Sequence, residues 1–194
     1  MRADDLDLGG AVDAFDLVEM ADVGRFEGCV SVKVAPHASK FYRFDAERRV
    51  ARRVYEAETA FLTDYQELSD AAKAGTAFPD QRADASGGVI VRYLGNRATN
   101  DLVWPEVKVD AAEEYVLAFE CSSPDDRVFD LSVDGGAPMR VATPATGGKI
   151  SQVSVRLRIA AGVHSLRLCN ASAWMPDVDR MTIEPAARIQ AQGL

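Results

Sequence analysis

The sequence predicts an all-β fold, a sandwich or jelly roll, and three observations predict it. The first is strict alternation. Val153, Val155, Leu157 and Ile159 interleave with Gln152, Ser154, Arg156 and Arg158, which gives a strand with one dry and one wet face. The second is a hairpin signal: Phe129, Leu131 and Val133 alternate with Val128, Asp130 and Ser132 and run into the turn Asp134-Gly135-Gly136. The third is spacing, with further strand-like stretches at 89–94, 102–109, 115–121, 164–169 and 180–184, parted by Gly, Pro, Asn or Asp clusters. The one helical pattern is short, DYQELSDAAKA over 64–74, and reads equally as a surface excursion.

The first fifty residues add three strand-like stretches, 14–20, 28–34 and 39–44. Val30, Val32 and Val34 share one strand face, and a small isolated sheet is marginal in water, so these strands are expected to lean on other structure. They also offer an unpaired edge through which two copies of the chain can pair as a homodimer. The charged stretch DAERRVARR, residues 45–53, reads as a linker or domain boundary. The expected organisation is therefore 1–50 as extra N-terminal strands and 54–187 as a β-sandwich.

Composition excludes several functions. Apolar residues make up 47% of the chain and charged residues 27%, which is globular rather than disordered. A net charge of -8 argues against nucleic acid, whose phosphates are gripped by clustered Lys and Arg. No apolar run reaches the roughly 18 residues a spanning helix needs, so no membrane partner is expected. The acidity suits a neutral or cationic ligand or a bound cation, and serves solubility equally well. Cys29, Cys121 and Cys169 are odd in number and far apart, so free thiols are expected, with Cys121 buried beside Tyr115, Leu117 and Phe119. No GxSxG, HExxH, P-loop or dinucleotide fingerprint is present, and no catalytic residue is assigned.

The segment DLVEMADVGRFEGCVSVKVAPHASKFYRF, residues 16–44, has a DL start, a polar turn, DVGRF, a valine-rich stretch and an APH turn before its last strand. On these features it resembles the terminal strands of the β-domain that follows the barrel in glycoside hydrolase family twenty-seven, the α-galactosidases. The catalytic barrel of that family would lie upstream. Residues 54–185 carry VYEAE (54–58), SGGVIVRYLGN (86–96), AAEEYVLAFE (111–120), LSVDGG (131–136), TPATGG (143–148), AAGVHSLRLCN (160–170) and PDVDRMTI (176–183). In order and spacing these resemble carbohydrate-binding modules of families six and thirty-five. The resemblance implies a galactose-binding-domain-like jelly roll with a structural calcium ion and a sugar site in end loops or on one concave face. It further implies a non-catalytic module that holds an α-galactosidase-like parent enzyme on galactose-containing or related glycans, outside the cell or in the periplasm. The rival reading is a structural β-domain that packs on the parent barrel without binding sugar.

Glu56 and Glu58 stand two apart, so on a strand their carboxylates project from one face and repel unless a cation lies between them. Asp179 has the parity of Met181 and Ile183, and a carboxylate on that inward face needs a cation or dense hydrogen bonding. Calcium, which takes carboxylate and carbonyl oxygens, meets both needs, and the resemblance places the ion beside these three residues. Otherwise Glu56 and Glu58 are solvated and Asp179 caps a loop. A sugar site needs an aromatic ring and nearby polar groups. Trp174 and Asp177 before the last strand fit by position, and Arg92, Tyr93, Asn96 and Asn100 surround a second loop able to reach a sugar. Where family members bear an aromatic after the TG of the TPATGG-like stretch, this chain has Lys149 and Ile150. Trp104 shares parity with Leu102, Glu106 and Lys108 and is expected to pack on the wetter sheet face or against the N-terminal strands.

Overall fold

The computed structural model describes Ala3, residues 6–66 and residues 75–187. It divides into two compact units, Met1–Arg53 and Val54–Leu194.

The first unit is a three-stranded antiparallel sheet in the order β2-β1-β3, built from β1 (Leu8–Asp16), β2 (Ala21–Glu27) and β3 (Tyr42–Arg49). Leu8 and Val12 of β1 are buried with Ala3, and Phe26, Phe44 and Ala46 of the flanking strands pack against them. Phe26 and Phe44 meet edge to face at 6.0 Å. β1 stops at Asp16 because its carboxylate turns back on the chain, accepting the Val18 and Glu19 amides at 2.8 and 3.0 Å. The expected strand 14–20 therefore ends early, and DVGRF belongs to the next strand. No strand forms over 28–34. Both edges of β1 are filled by β2 and β3, and Val32 and Val34 lie exposed. The charged stretch 45–53 is also not all linker. Residues 45–49 complete β3, an edge strand whose Asp45 pairs with Asp13 and whose Glu47 binds Arg25.

The second unit is a two-sheet antiparallel sandwich of β4 (Val54–Glu56), β5 (Phe78–Gln81), β6 (Val89–Arg92), β7 (Gly95–Val109), β8 (Glu113–Ser122), β9 (Arg127–Val133), β10 (Met139–Thr143), β11 (Ser151–Ile159), β12 (Gly162–Trp174) and β13 (Asp177–Pro185). One sheet runs β10-β9-β12-β7; the other runs β11-β8-β13-β6-β5, with β4 also on β13. The alternation of β8 sends Tyr115, Leu117, Phe119 and Cys121 inward, and β9 answers from the facing sheet with Phe129 and Leu131. Phe119 and Phe129 meet at 5.1 Å, interplanar angle 74°, an edge-to-face contact that locks the layers together. All three cysteines are free, and burial pushes the Cys121 thiol far up, so it stays protonated.

Trp104 packs, as its sequence reading favours, but in the core of the sandwich rather than on the wetter face. It lies in the core, 2% exposed, stacked on Phe119 at 6.4 Å, with its indole N–H on the Glu56 carbonyl. The cause is a bulge: β12 advances from His164 to Leu166 while β7 advances from Val107 to Trp104, so Pro105 and Glu106 are absorbed outward and the parity flips. β5 and β10 lie outside the stretches picked as strands. β5 contains Pro79, which a ladder tolerates at the sheet edge that β5 occupies. Of the helical pattern 64–74, residues 64–66 are not helical, and 67–74 lie outside the described residues.

Candidate functional site

Three strand ends converge at one end of the sandwich. β6 delivers Arg92 and then turns through Tyr93, Leu94 and Gly95, with positive φ of 60° at Tyr93 and 92° at Gly95. β12 ends on Trp174, which pairs with Gly95, and the Met175 amide donates to the Leu94 carbonyl at 2.9 Å. A Cβ on Gly95 would stand 2.5 Å from the Ala173 carbonyl oxygen, so only glycine lets the two segments cross this closely. β13 then opens with Asp177.

The side chains of these ends line a cleft of about 530 Å³, shared with Arg82 and Arg127. Tyr93 stacks on Phe78 at 5.6 Å and meets Trp174 edge-on at 6.1 Å, interplanar angle 84°. Both residues stay partly exposed: Tyr93 is 40% and Trp174 36% exposed. The Arg92 guanidinium lies 5.7 Å above the Tyr93 ring, with Nη1 2.8 Å from Asp80 and Nε 3.3 Å from Asp177. Arg82 reaches across to the Gly148 carbonyl at 2.6 Å, and Arg127 holds the Met175 carbonyl at 2.8 Å. Burial pushes the Asp177 carboxyl up, against the pull of Arg92, Arg127 and Arg82. The cleft thus sets partly exposed aromatic residues beside guanidinium donors and a carboxylate acceptor, a combination suited to a ligand with one apolar face and a rim of hydroxyls.

Arg92, Tyr93, Trp174 and Asp177, four of the residues expected at a ligand site, are brought together here. Asn96 is exposed but does not line the cleft. Asn100 is a correction. It is 0% exposed, its amide spent on backbone groups, and as placed it touches no ligand. Arg82 and Arg127 were not picked from the sequence. They arrive from the end of β5 and the start of β9, remote in the chain, and their one local sign is an Asp two residues away, Asp84 and Asp125, with which each pairs. Lys149 and Ile150 line a separate hollow of about 330 Å³ beside Cys121 and Thr143.

The three carboxylates singled out for a cation gather at another turn, Ser86–Gly88. β4 ends at Glu56 and a 3₁₀ turn over Ala57–Thr59 follows, so Glu56 and Glu58 do not share a strand face; the turn brings Glu58 around instead. Ser86 Oγ donates to Glu56 Oε1 at 2.8 Å, and the Ser86 amide donates to Asp179 Oδ1 at 2.9 Å. Gly87 lies against Glu58, where an added Cβ would be 3.4 Å from Oε1. Asp179 is 1% exposed and sits in a bulge, because β8 steps from Cys121 to Glu120 while β13 steps from Val178 to Arg180. Burial, reinforced by Glu56 and Glu120, pushes its carboxyl up to about 6, against the Ser86 amide. Burial likewise raises Glu58. Oε2 of Glu56 and of Glu58 are both buried without a hydrogen-bond partner. Such orphaned carboxylate oxygens suit a hard cation that takes oxygen ligands. Side chains alone do not complete a cage: among the described residues no group of three or more His, Cys, Asp or Glu is placed to hold a metal.

No protein-family model and no curated protein matches this sequence. Solved structures do. A family 35 carbohydrate-binding module from Clostridium thermocellum is 25% identical, with a TM-score of 0.59 over 67% of this chain and 96% of its own. Over about two thirds of its length the chain has the fold of a carbohydrate-binding module. A family 35 module from Paenibacillus barcinonensis matches at 18% identity and TM-score 0.58, over 69% of this chain and 98% of its own. An exo-β-1,3-galactanase from Phanerochaete chrysosporium, solved with β-1,3-galactotriose, matches at 21% and TM-score 0.58 over 73% of this chain but only 30% of the enzyme. The module fold thus occurs both alone and as a minor part of longer hydrolase chains.

Proposed function

We propose that the second unit is a non-catalytic carbohydrate-binding module whose ligand site is the Trp174–Tyr93 cleft. One observation carries this reading: two partly exposed aromatic residues stand beside Arg92 and Asp177 in a cleft at the strand ends. Galactose-containing glycans are the ligand class, a choice supported by the galactotriose-bound enzyme among the similar structures. The resemblance of residues 16–44 supports an α-galactosidase-like parent, exported from the cell. A weak site tethered to a hydrolase raises local substrate concentration without adding chemistry.

Calcium belongs to the proposal. Glu56 and Glu58 hold it through their orphaned oxygens, Asp179 adds charge from the bulge, and backbone carbonyls or water complete the shell. The ion neutralises three acidic groups and ties β4, β13 and the Ser86 turn together. The rival reading, a structural domain without sugar affinity, is favoured by Lys149 and Ile150, which stand where the modules it resembles bear an aromatic. Glycan-array binding with calcium and with chelator separates the two. Galactoside binding that Trp174→Ala abolishes supports the module, and no binding on any glycan overturns it.

A further inference from the structure

Tyr93 sits on a turn between strands, and Trp174 is the last residue of β12. Tyr93 has φ 60°, a conformation a bulky residue adopts only when its surroundings fix it, and Gly75 and Gly95 carry φ of 64° and 92°. Gly75 lies against the Trp174 side chain, so close that a Cβ there would be 3.3 Å from Cη2. The Trp174–Gly95 pair lies at a register shift of the β12–β7 ladder, so the ladder does not by itself fix these turns. They meet at the side chain of Asn100, on β7.

We infer that Asn100 is the positioning residue of the aromatic cleft, a single buried amide that fixes the turns beneath Tyr93 and Trp174; this rests on the reading of the cleft as a sugar site. Its Oδ1 accepts the Ala77 amide at 2.8 Å. Its Nδ2 donates to the Tyr93 carbonyl at 2.6 Å, the Gly95 carbonyl at 2.7 Å and, more distantly, the Gly75 carbonyl at 3.4 Å. The partners fix the orientation of the amide, since a flipped group would set NH₂ against an N–H and oxygen against carbonyls. At 0% exposure no water replaces these bonds. Aspartate keeps the acceptor for Ala77 but opposes a charged oxygen to two carbonyls. Alanine leaves all of them unpaired.

The test uses 5-fluorotryptophan, because Trp104 and Trp174 are the chain's two tryptophans and give two ¹⁹F resonances. Asn100→Asp and Asn100→Ala are expected to shift or broaden the Trp174 resonance, to leave that of Trp104 in place, and to weaken galactoside binding about tenfold, or 1.4 kcal/mol. Ile159→Ala is the comparison, a core truncation at the end of β11, where a fall in melting temperature is expected with both resonances and affinity unchanged. If the Asn100 variants behave like Ile159→Ala, the inference is overturned. Loss of folding in both would equally overturn it, by making Asn100 a determinant of the whole fold. Should the unaltered protein bind no glycan, the sugar reading fails, while the Trp174 resonance still decides the role of Asn100.

Discussion

Arg92 is shared between two carboxylates, and Asp177, the more distant of them at 3.3 Å against 2.8 Å for Asp80, is the one that faces the cleft. Burial raises the Asp177 carboxyl despite that contact, so its ionised form is held at a cost in the free protein. A carboxylate whose folded pKa is raised stabilises the fold below its unfolded value and loses that contribution as pH rises through the folded one. Asp177→Asn should therefore melt no lower than the unaltered protein at neutral pH. It should also remove the acid-range titration from galactoside affinity. Melting temperatures and binding isotherms across pH 4–7 check this, and a lower melting temperature for the variant contradicts it.

Trp174→Ala removes the larger of the two partly exposed rings while leaving the carboxylate turn at Ser86 untouched. Affinity should drop at least tenfold, about 1.4 kcal/mol, with no change in the response of the melting curve to chelator. Calorimetry with and without calcium reads both quantities. A tryptophan that only covers the sandwich end would instead lower the melting temperature and spare any binding.

The carboxylate turn makes a pH prediction whose sign depends on the ion. Asp179 is raised from 3.8 to about 6, so without a cation its contribution to stability is present below about 4 and is lost as pH climbs through about 6. Calcium bound there would require the ionised form and oppose that loss, adding about 2.7 kcal/mol at a hundredfold excess over its dissociation constant. In chelator the melting temperature should fall between pH 4 and pH 7; with millimolar calcium it should hold or rise. Asp179→Asn should flatten the chelator curve and blunt the calcium response. Parallel curves with and without calcium would return Glu56 and Glu58 to a metal-free role.

Much of the fold is legible because strands announce themselves locally. The alternation in Val153–Ile159 and Phe129–Val133 needs only a two-residue period, and both stretches are strands. What misleads is anything that shifts that period or depends on neighbours. Pro105 and Glu106 bulge out of β7, and so Trp104 turns from the wet face to the core. Residues 45–49 look like a linker because an edge strand of a small sheet leaves most side chains in water. Val30, Val32 and Val34 look like a strand because their pattern is right, yet β1 has no edge left for them. At the cleft, Trp174 and Asp177 are readable from their place before the last strand. Asn100 is readable only as polar, because nothing in a sequence says whether an amide meets a ligand or a buried carbonyl.

His164 carries the last prediction. Its Nδ1 lies 2.7 Å from Asp134 Oδ2 and its Nε2 2.8 Å from the Ala160 carbonyl, so both ring nitrogens face acceptors and only the imidazolium satisfies both. Asp134 also accepts the Ser165 amide, and the two residues clasp the β9–β10 turn to the start of β12. The hydrogen bond to Asp134 raises His164, and the bond from His164 lowers Asp134. Signs follow from each. The raised histidine stabilises the fold below its ordinary value of 6.5 and loses that contribution as pH rises through its folded value; the lowered carboxylate contributes above 3.8 and loses it toward acid. The clasp is therefore strongest between those limits. His164→Gln should lower the melting temperature near pH 5 and do so progressively less as pH passes neutrality, whereas Asp134→Asn should act over the same window and add little to it in the double variant. Additive effects of the two substitutions would show that the groups do not act as a pair.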